Sequence, residues 1–440
     1  MQPASILEKT LRFARRFIPK SLFRAAQPLY HFLLSYFGGL RYGFPSKKIF
    51  VIGITGTKGK STTVELVNAM LEEGGFKTAV AGTIRFKVGD KSWHNMYKMT
   101  MPGRFFLQRF LARAVQDGCT HAIIEMTSEG SKQSRYRFVY PDALIFTNLT
   151  PEHIESHGSY EKYLGAKLDI GHRVLYGGKP RRMLVANADD KETERFLALG
   201  IPEQFAYSLK DAEPFLANDR GLSFTFNSTE MHSNLPGVFN LYNILGAATL
   251  ARALSISNES IKNAVEKVYE VPGRGQSIRL SEVHELHGLQ DFSVIVDYAH
   301  TSESLKAIYK AFSGRRIIGV LGSTGGGRDK WKREEMGKVA DENCDEIYLA
   351  DEDPYDEDPR EIIDGLAKGI TNHSPHIILD RRLAIFAAIE QARTGDAVII
   401  TGKGTDPYIM GPRGSKTPWS DANVAREELE KVLRSRSISK

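Results

Sequence analysis

A continuous apolar run, Ile49 to Ile54, leads directly into Gly53-Ile-Thr-Gly56-Thr57-Lys58-Gly59-Lys60-Ser61-Thr62-Thr63, and Thr62 to Leu71 then take helical spacing. Strand, glycine loop and helix in that order aim several backbone N–H groups, and the positive end of the helix dipole, at one point where an anion binds. The lysine and hydroxyls that close the loop narrow the anion to a nucleotide. Gly56 to Thr62 are expected to cradle ATP, with Lys60 reaching its β- and γ-phosphates and Ser61 or Thr62 holding a bridging Mg2+. The leading glycine, Gly53, stands one place earlier than the generic spacing.

A second, acidic ligand for the metal belongs at the end of a neighbouring strand, and Glu125, closing His121-Ala-Ile-Ile-Glu125, meets that requirement. The competing reading makes Glu125 a helix cap, because Thr127 and Ser128 follow. Further buried strands are expected at His121–Met126, Ala143–Thr147 and Met183–Ala186, separated by helix-length stretches. Ala206–Leu235 alternates in short segments and reads as a small antiparallel excursion. After Val271-Pro272-Gly273-Arg274 a second series begins, with strands at Val294–Val296, Ile317–Leu321, Glu346–Ala350 and Ala397–Thr401. The expected class is α/β: a P-loop central domain over 47–272, a C-terminal Rossmann-like domain over 273–440, and a short helical arm over 1–46.

Composition bears mainly on the arm. With 41% hydrophobic and 25% charged residues the chain is an ordinary globular one, and its net charge of +6 is concentrated in the first 48 residues, so no nucleic-acid partner is expected. Cys119 and Cys344 lie far apart and fit neither a disulfide framework nor a zinc site. Between Ile6 and Tyr42, aromatics and leucines alternate with Arg12, Arg15, Arg16, Lys20 and Arg24; no apolar run is long enough to span a bilayer, and Pro19 and Pro28 break the pattern. Two readings stay open: peripheral docking on a membrane surface, or a helical arm packed on the protein body or on a partner.

The ordered motifs resemble the Mur ligases, ATP-dependent enzymes of cell-wall precursor synthesis. Similarity to that family begins at the glycine loop and continues through Thr147-Asn-Leu-Thr-Pro-Glu-His153, Tyr163-Leu-Gly-Ala-Lys167, Pro236-Gly-Val-Phe-Asn-Leu-Tyr-Asn243, Arg274, Asp297-Tyr-Ala-His300 and Gly402-Lys-Gly404. Gly322-Ser-Thr-Gly-Gly-Gly-Arg328 is similar to the MurE type, the tripeptide synthetases that add the third residue of the stem peptide. The resemblance implies that His153 and a carbamylated Lys167 hold a second Mg2+, that Asn243, Arg274, Asp297 and His300 contact the nucleotide, and that Arg328 binds the amino acid's carboxylate. It also implies a cytoplasmic enzyme that phosphorylates a muropeptide-like acceptor on its carboxylate and then joins it to an amino acid.

Departures from the family pattern concern both substrates. Where MurE-type chains open with a uridine-nucleotide domain, this one has the basic arm, which leaves room for a lipid-linked acceptor at the inner face of the membrane. On the acceptor side stand Thr100, Ser128, Gln133 and Arg135, with Glu129 in place of a histidine. In the amino-acid motif Glu352-Asp353-Pro354-Tyr355 replaces Asp-Asn-Pro-Arg, and Asp406 follows Gly402-Lys-Gly. Tyrosine cannot clamp a distal carboxylate as arginine would, whereas acids favour an ammonium, so a lysine-like amino acid is expected in preference to diaminopimelate. The rivals are a folylpolyglutamate synthetase relative, an amidotransferase-coupled lipid-acceptor ligase, whose usual four-cysteine zinc site this sequence lacks, and a non-catalytic nucleotide-binding scaffold.

Overall fold

The computed structural model describes residues 20–152, 154–280, 286–327 and 330–438. The first 19 residues of the arm, and with them Arg12, Arg15 and Arg16, lie outside the described residues, as do His153 and Arg328.

The first sheet contains β1 (Phe50–Thr55), β2 (Thr78–Ala81), β3 (Arg85–Val88), β4 (Lys91–His94), β5 (His121–Glu125), β6 (Ala143–Phe146), β7 (Met183–Asn187) and β8 (Glu203–Tyr207), in the order β4-β3-β2-β5-β1-β6-β7-β8. Strands β2, β5, β1, β6, β7 and β8 run parallel, while β3 and β4 form an antiparallel edge. A parallel sheet must be covered on both faces, which is why β1 reads as an unbroken apolar run. Ile52 and Ile54 enter one core with the helices Lys60–Glu73 and Val238–Ala253; Ile49 and Val51 enter the other with Arg104–Gln116 and Tyr160–Tyr176.

The expected antiparallel excursion is β9 (Phe215–Asn218), β10 (Gly221–Phe226) and β11 (Thr229–Ser233). Its start needs correcting: Ala206 and Tyr207 belong to β8, which continues the large parallel sheet. Its alternation comes from an edge position, buried on one face only. Strands β2 to β4 went unread because each has only four residues and little pattern.

The second sheet holds β12 (Gln276–Ile278), β13 (Ser293–Asp297), β14 (Ile317–Leu321), β15 (Glu346–Leu349), β16 (His376–Ile377) and β17 (Ala397–Thr401), in the order β12-β13-β17-β14-β15-β16, with only β12 antiparallel. A hairpin of β18 (Tyr408–Met410) and β19 (Lys416–Pro418) precedes the last helix, Asp421–Ile438. Arg381, buried and bidentate on Asp421, also donates to the Thr401 carbonyl at 2.7 Å, which fixes the carboxyl end of β17.

Residues Lys20–Tyr42 form one helix that runs through Pro28. The expected break is absent, since proline removes only its own N–H bond and the neighbouring turns carry the helix on. One face packs on the body: Ser35 donates to the Ser134 carbonyl at 2.7 Å, and Phe32 meets Phe138 edge-on. Tyr30, Leu33, Phe37 and Leu40, spaced to share the opposite face, remain exposed. Among the described residues no helix is long and apolar enough to cross a membrane.

Candidate active site

In open parallel sheets ligands bind beyond the carboxyl ends of the strands, where the strand order reverses. In the first sheet that place is the end of β1, flanked by β5 and β6. The glycine loop follows β1, Glu125 closes β5 and Asn148 follows β6, so sheet topology alone converges three of the sequence motifs.

Close approach dictates the glycines of the loop. A Cβ on Gly56 would stand 1.9 Å from Thr147 Oγ1, and one on Gly59, which is left-handed with φ of 81°, would stand 2.1 Å from Asn243 Oδ1. The loop is held from behind: Thr57 N–H donates to the Asn148 carbonyl at 2.8 Å, Lys58 N–H to Asn148 Oδ1 at 2.9 Å, and Thr147 Oγ1 to the Lys58 carbonyl at 2.7 Å. Lys60 folds over the loop and donates to the carbonyls of Gly56 and Thr57 at 3.0 and 2.8 Å. Burial lowers its pKa, against the attraction of Glu125 and Glu152. Such an ammonium, short of solvation, is ready to take phosphate oxygens.

On the metal side, Ser61 Oγ lies 3.2 Å from each oxygen of Glu125, and Thr83 N–H donates to Glu125 Oε2 at 2.8 Å. A buried hydroxyl and carboxylate aimed at the mouth of a phosphate loop are hard oxygen donors that suit Mg2+. No larger cluster of His, Cys, Asp or Glu forms among the described residues. Thr62 is buried beside Ser61. Lys167, 2% exposed, donates to the Gly56 carbonyl at 2.6 Å. Desolvation, aided by repulsion from Lys60, drives its pKa well below the ordinary lysine range. That shift favours the neutral, nucleophilic amine that carbamylation by CO2 requires.

The second sheet closes over the loop. Arg274 stacks on Tyr298 at 4.3 Å and reaches Ser61 Oγ at 3.3 Å. Glu152, unmarked in the sequence except as a neighbour of His153, takes Lys58 Nζ at 3.0 Å and His300 Nε2 at 3.2 Å, so one carboxylate joins the two domains at the loop. Asn243 packs beneath the loop, bonded to Asn240. Asp297, expected to contact the nucleotide, accepts from the N–H groups of Gly275 and Ala299 at 2.6 and 2.7 Å. Its Oδ2 ties down the Arg274 turn, while its Oδ1 holds the backbone that follows its own strand.

The residues expected on the acceptor side gather on the first sheet. Thr100 shares a 2.8 Å hydrogen bond with Thr83, next to Glu125; Arg135 donates to the Met101 carbonyl and to Gln133 Oε1, both at 2.7 Å; Ser128 lies 3.2 Å from His157 Nε2. Glu129, the residue in the histidine position, faces His157 at 3.4 Å.

The loops after β14, β15 and β17 carry the residues expected to meet the amino acid. Gly402, with φ of 109°, leaves room for Glu352, and Tyr355 is itself left-handed at 55°. Here the structure pairs two of the three acids behind the lysine expectation. Asp353 and Asp406 are not open acids: Lys403, fully buried, lies 2.8 Å from Asp353 and 3.5 Å from Asp406, and Lys98 of the first domain reaches both carboxylates, Asp406 at 3.3 Å. Lys403 was in plain view between two glycines, whereas nothing local marked Lys98.

Comparison with known proteins agrees with this geometry. The family profile described as the Mur ligase middle domain matches residues 54–251, and that of the Mur ligase glutamate ligase domain matches 279–404. A UDP-N-acetylmuramoyl-L-alanyl-D-glutamate–2,6-diaminopimelate ligase of Trichormus variabilis is 34% identical over 404 residues, covering 88% of this chain and 78% of that protein. A UDP-N-acetylmuramyl-tripeptide synthetase of Roseiflexus is 33% identical over 419 residues, covering 89% and 80%. Among solved structures, a diaminopimelate ligase of the same description superposes with a TM-score of 0.59 at 27% identity, over 87% of this chain and 78% of that one. Mycobacterium tuberculosis folylpolyglutamate synthase complexed with ADP shares the fold, with a TM-score of 0.67 at 14% identity over 85% and 92%.

Proposed function

The chain belongs to the Mur ligase family of acid–amino-acid ligases, and from that membership we propose that it uses ATP to join an amino acid to the terminal carboxylate of a peptidoglycan-precursor-type peptide. What carries this reading is the two-sided site: a phosphate loop with Ser61 and Glu125 on one sheet, closed by Arg274 and His300 from the other. We assign 47–272 to ATP and acceptor, and 273–440 to the amino acid.

Joining a carboxylate to an amine in water is uphill, so the acceptor carboxylate first attacks the γ-phosphate of ATP, giving an acyl phosphate and ADP. The amine of the incoming residue then attacks the acyl carbon, the amine gives up a proton, and phosphate leaves with the oxygen that came from the acceptor. Lys60 and the loop N–H groups neutralise the transferring phosphoryl oxygens. Ser61 and Glu125 would hold Mg2+, which supplies further charge neutralisation at the phosphates. A carbamate on Lys167, with His153, is our assignment for a second metal. Closure of the second domain excludes water while the acyl phosphate exists.

Consumption of ATP fits a cytoplasmic reaction. Nine of the chain's 59 lysines and arginines, but one of its 53 acids, fall in the first 48 residues, and the adjoining helix keeps an apolar face exposed. These features support docking of the arm on the anionic inner face of a membrane and a lipid-linked acceptor. Flotation with anionic vesicles tests that arm. Failure to float, together with turnover of a soluble UDP-linked acceptor, removes it.

The ligase reading is tested by phosphate release against acceptors crossed with amino acids. ADP and phosphate should form only when both are present; ATP hydrolysis indifferent to either one refutes it.

A further inference from the structure

Four charged side chains meet at the carboxyl edge of the second sheet, and three belong to it: Asp353, Lys403 and Asp406. The fourth, Lys98, comes from the segment between β4 and the helix Arg104–Gln116 of the first sheet. Asp353 Oδ1 is occupied by Lys403 Nζ at 2.8 Å and by the Met410 N–H at 2.7 Å, while its Oδ2 faces Lys98. The two lysines are unlike each other. Lys403 has no exposed surface and is locked between acids of its own domain; the Lys98 side chain keeps 15% of its surface on a flexible four-carbon stem, and its backbone sits at φ of 50°. Its ammonium also lies 5.9 Å from the centre of the Tyr355 ring. Glu352, the remaining acid, accepts from Thr324 Oγ1 at 2.8 Å, and its other oxygen is buried beside Gly402 with no hydrogen-bond partner among the described residues.

An ammonium carries three donors. Two of those on Lys98 meet Asp353 and Asp406, so one is left for an acceptor entering the cleft. An incoming ammonium, by contrast, meets two resident ammoniums, and Asp353 and Asp406 both have partners already. The unpartnered oxygen, Glu352 Oε2, is buried beside Gly402. Resting on the ligase reading, we propose that Lys98 is a specificity-determining residue: from the opposite domain it offers a cation to a carboxylate at the far end of the incoming amino acid. The pocket thereby takes an amino acid whose side chain ends in a carboxylate, as diaminopimelate does, over one that ends in an ammonium alone, such as lysine. Because the cation crosses the cleft, it is in place only when the domains are closed, which ties selection to closure.

Calorimetric binding of meso-diaminopimelate and L-lysine to the full chain with ADP and Mg2+ tests this independently of turnover. The unaltered protein should favour diaminopimelate by about tenfold or more, Lys98→Met should bring the two within about twofold, Lys98→Arg should keep the preference, and Lys98→Glu should invert it. A Lys98 that merely straps the domains together would weaken both ligands alike in Lys98→Met and leave their ratio unchanged. That result, a preference for lysine in the unaltered protein, or binding of neither amino acid overturns the assignment. Lys98-dependent selective binding without amide formation would instead sink the ligase reading and leave this one standing.

Discussion

Gly59→Ala gives a quantitative handle on the phosphate loop. A side chain at φ of 81° costs about 1–2 kcal/mol. Its Cβ would also fall 2.1 Å from Asn243 Oδ1, a buried amide that Thr63 Oγ1 approaches at 3.4 Å and whose Nδ2 donates to Asn240 at 3.1 Å. Displacing it forfeits about 1 kcal/mol for each hydrogen bond lost. The total, roughly 2–4 kcal/mol, falls on the residue that starts the helix and aims the loop N–H groups. ADP affinity should therefore drop by roughly 30-fold or more by calorimetry. Gly75 supplies the control, since it has the same φ of 81° with nothing within 4 Å of a built Cβ. Gly75→Ala should lower the melting temperature slightly and leave ADP binding alone. Equal ADP affinity in Gly59→Ala and the unaltered protein would refute the collision argument, and partial recovery in Gly59→Ala/Asn243→Gly would support it.

Glu125→Gln keeps the shape that meets Ser61 and Thr83 but removes the charge, and should cut Mg2+-dependent turnover by about 100-fold or more with an unchanged melt. Lys167→Ala should abolish most turnover in a way that added bicarbonate does not restore, whereas bicarbonate should raise the activity of CO2-depleted unaltered protein; near-normal turnover of the variant rejects the carbamate. His121, between the rings of Phe50 and Phe76, has its pKa pressed by burial from 6.5 to about 4. The unfolded chain then binds the proton first, so stability should be level above pH 6.5 and fall by of order 2–3 kcal/mol as pH drops to about 4. In His121→Phe, denaturant titrations should lose most of that slope.

The buried strands and the loop were legible because each states itself locally. A run such as Ile49–Ile54 can only be a covered strand, and glycines before Lys60 need no distant context. Glu125 was legible for the same reason, as the polar end of an apolar run. Long-range pairing was not. Lys98 looks like any surface lysine, and only the meeting of two sheets brings it to Asp353, 255 positions away. Asp353 and Asp406 were read as open charges because neither its partner on the neighbouring loop nor the one across the cleft can be seen from composition. The backbone bonds of Asp297 were equally hidden: the N–H groups of Gly275 and Ala299 reach it only once the chain has folded back.

An oxygen label tests acyl-phosphate chemistry most directly. With acceptor bearing 18O in its reacting carboxylate, each amide formed should deliver one 18O to inorganic phosphate, with ADP as the other product. Unlabelled phosphate, or label found in AMP, would contradict it.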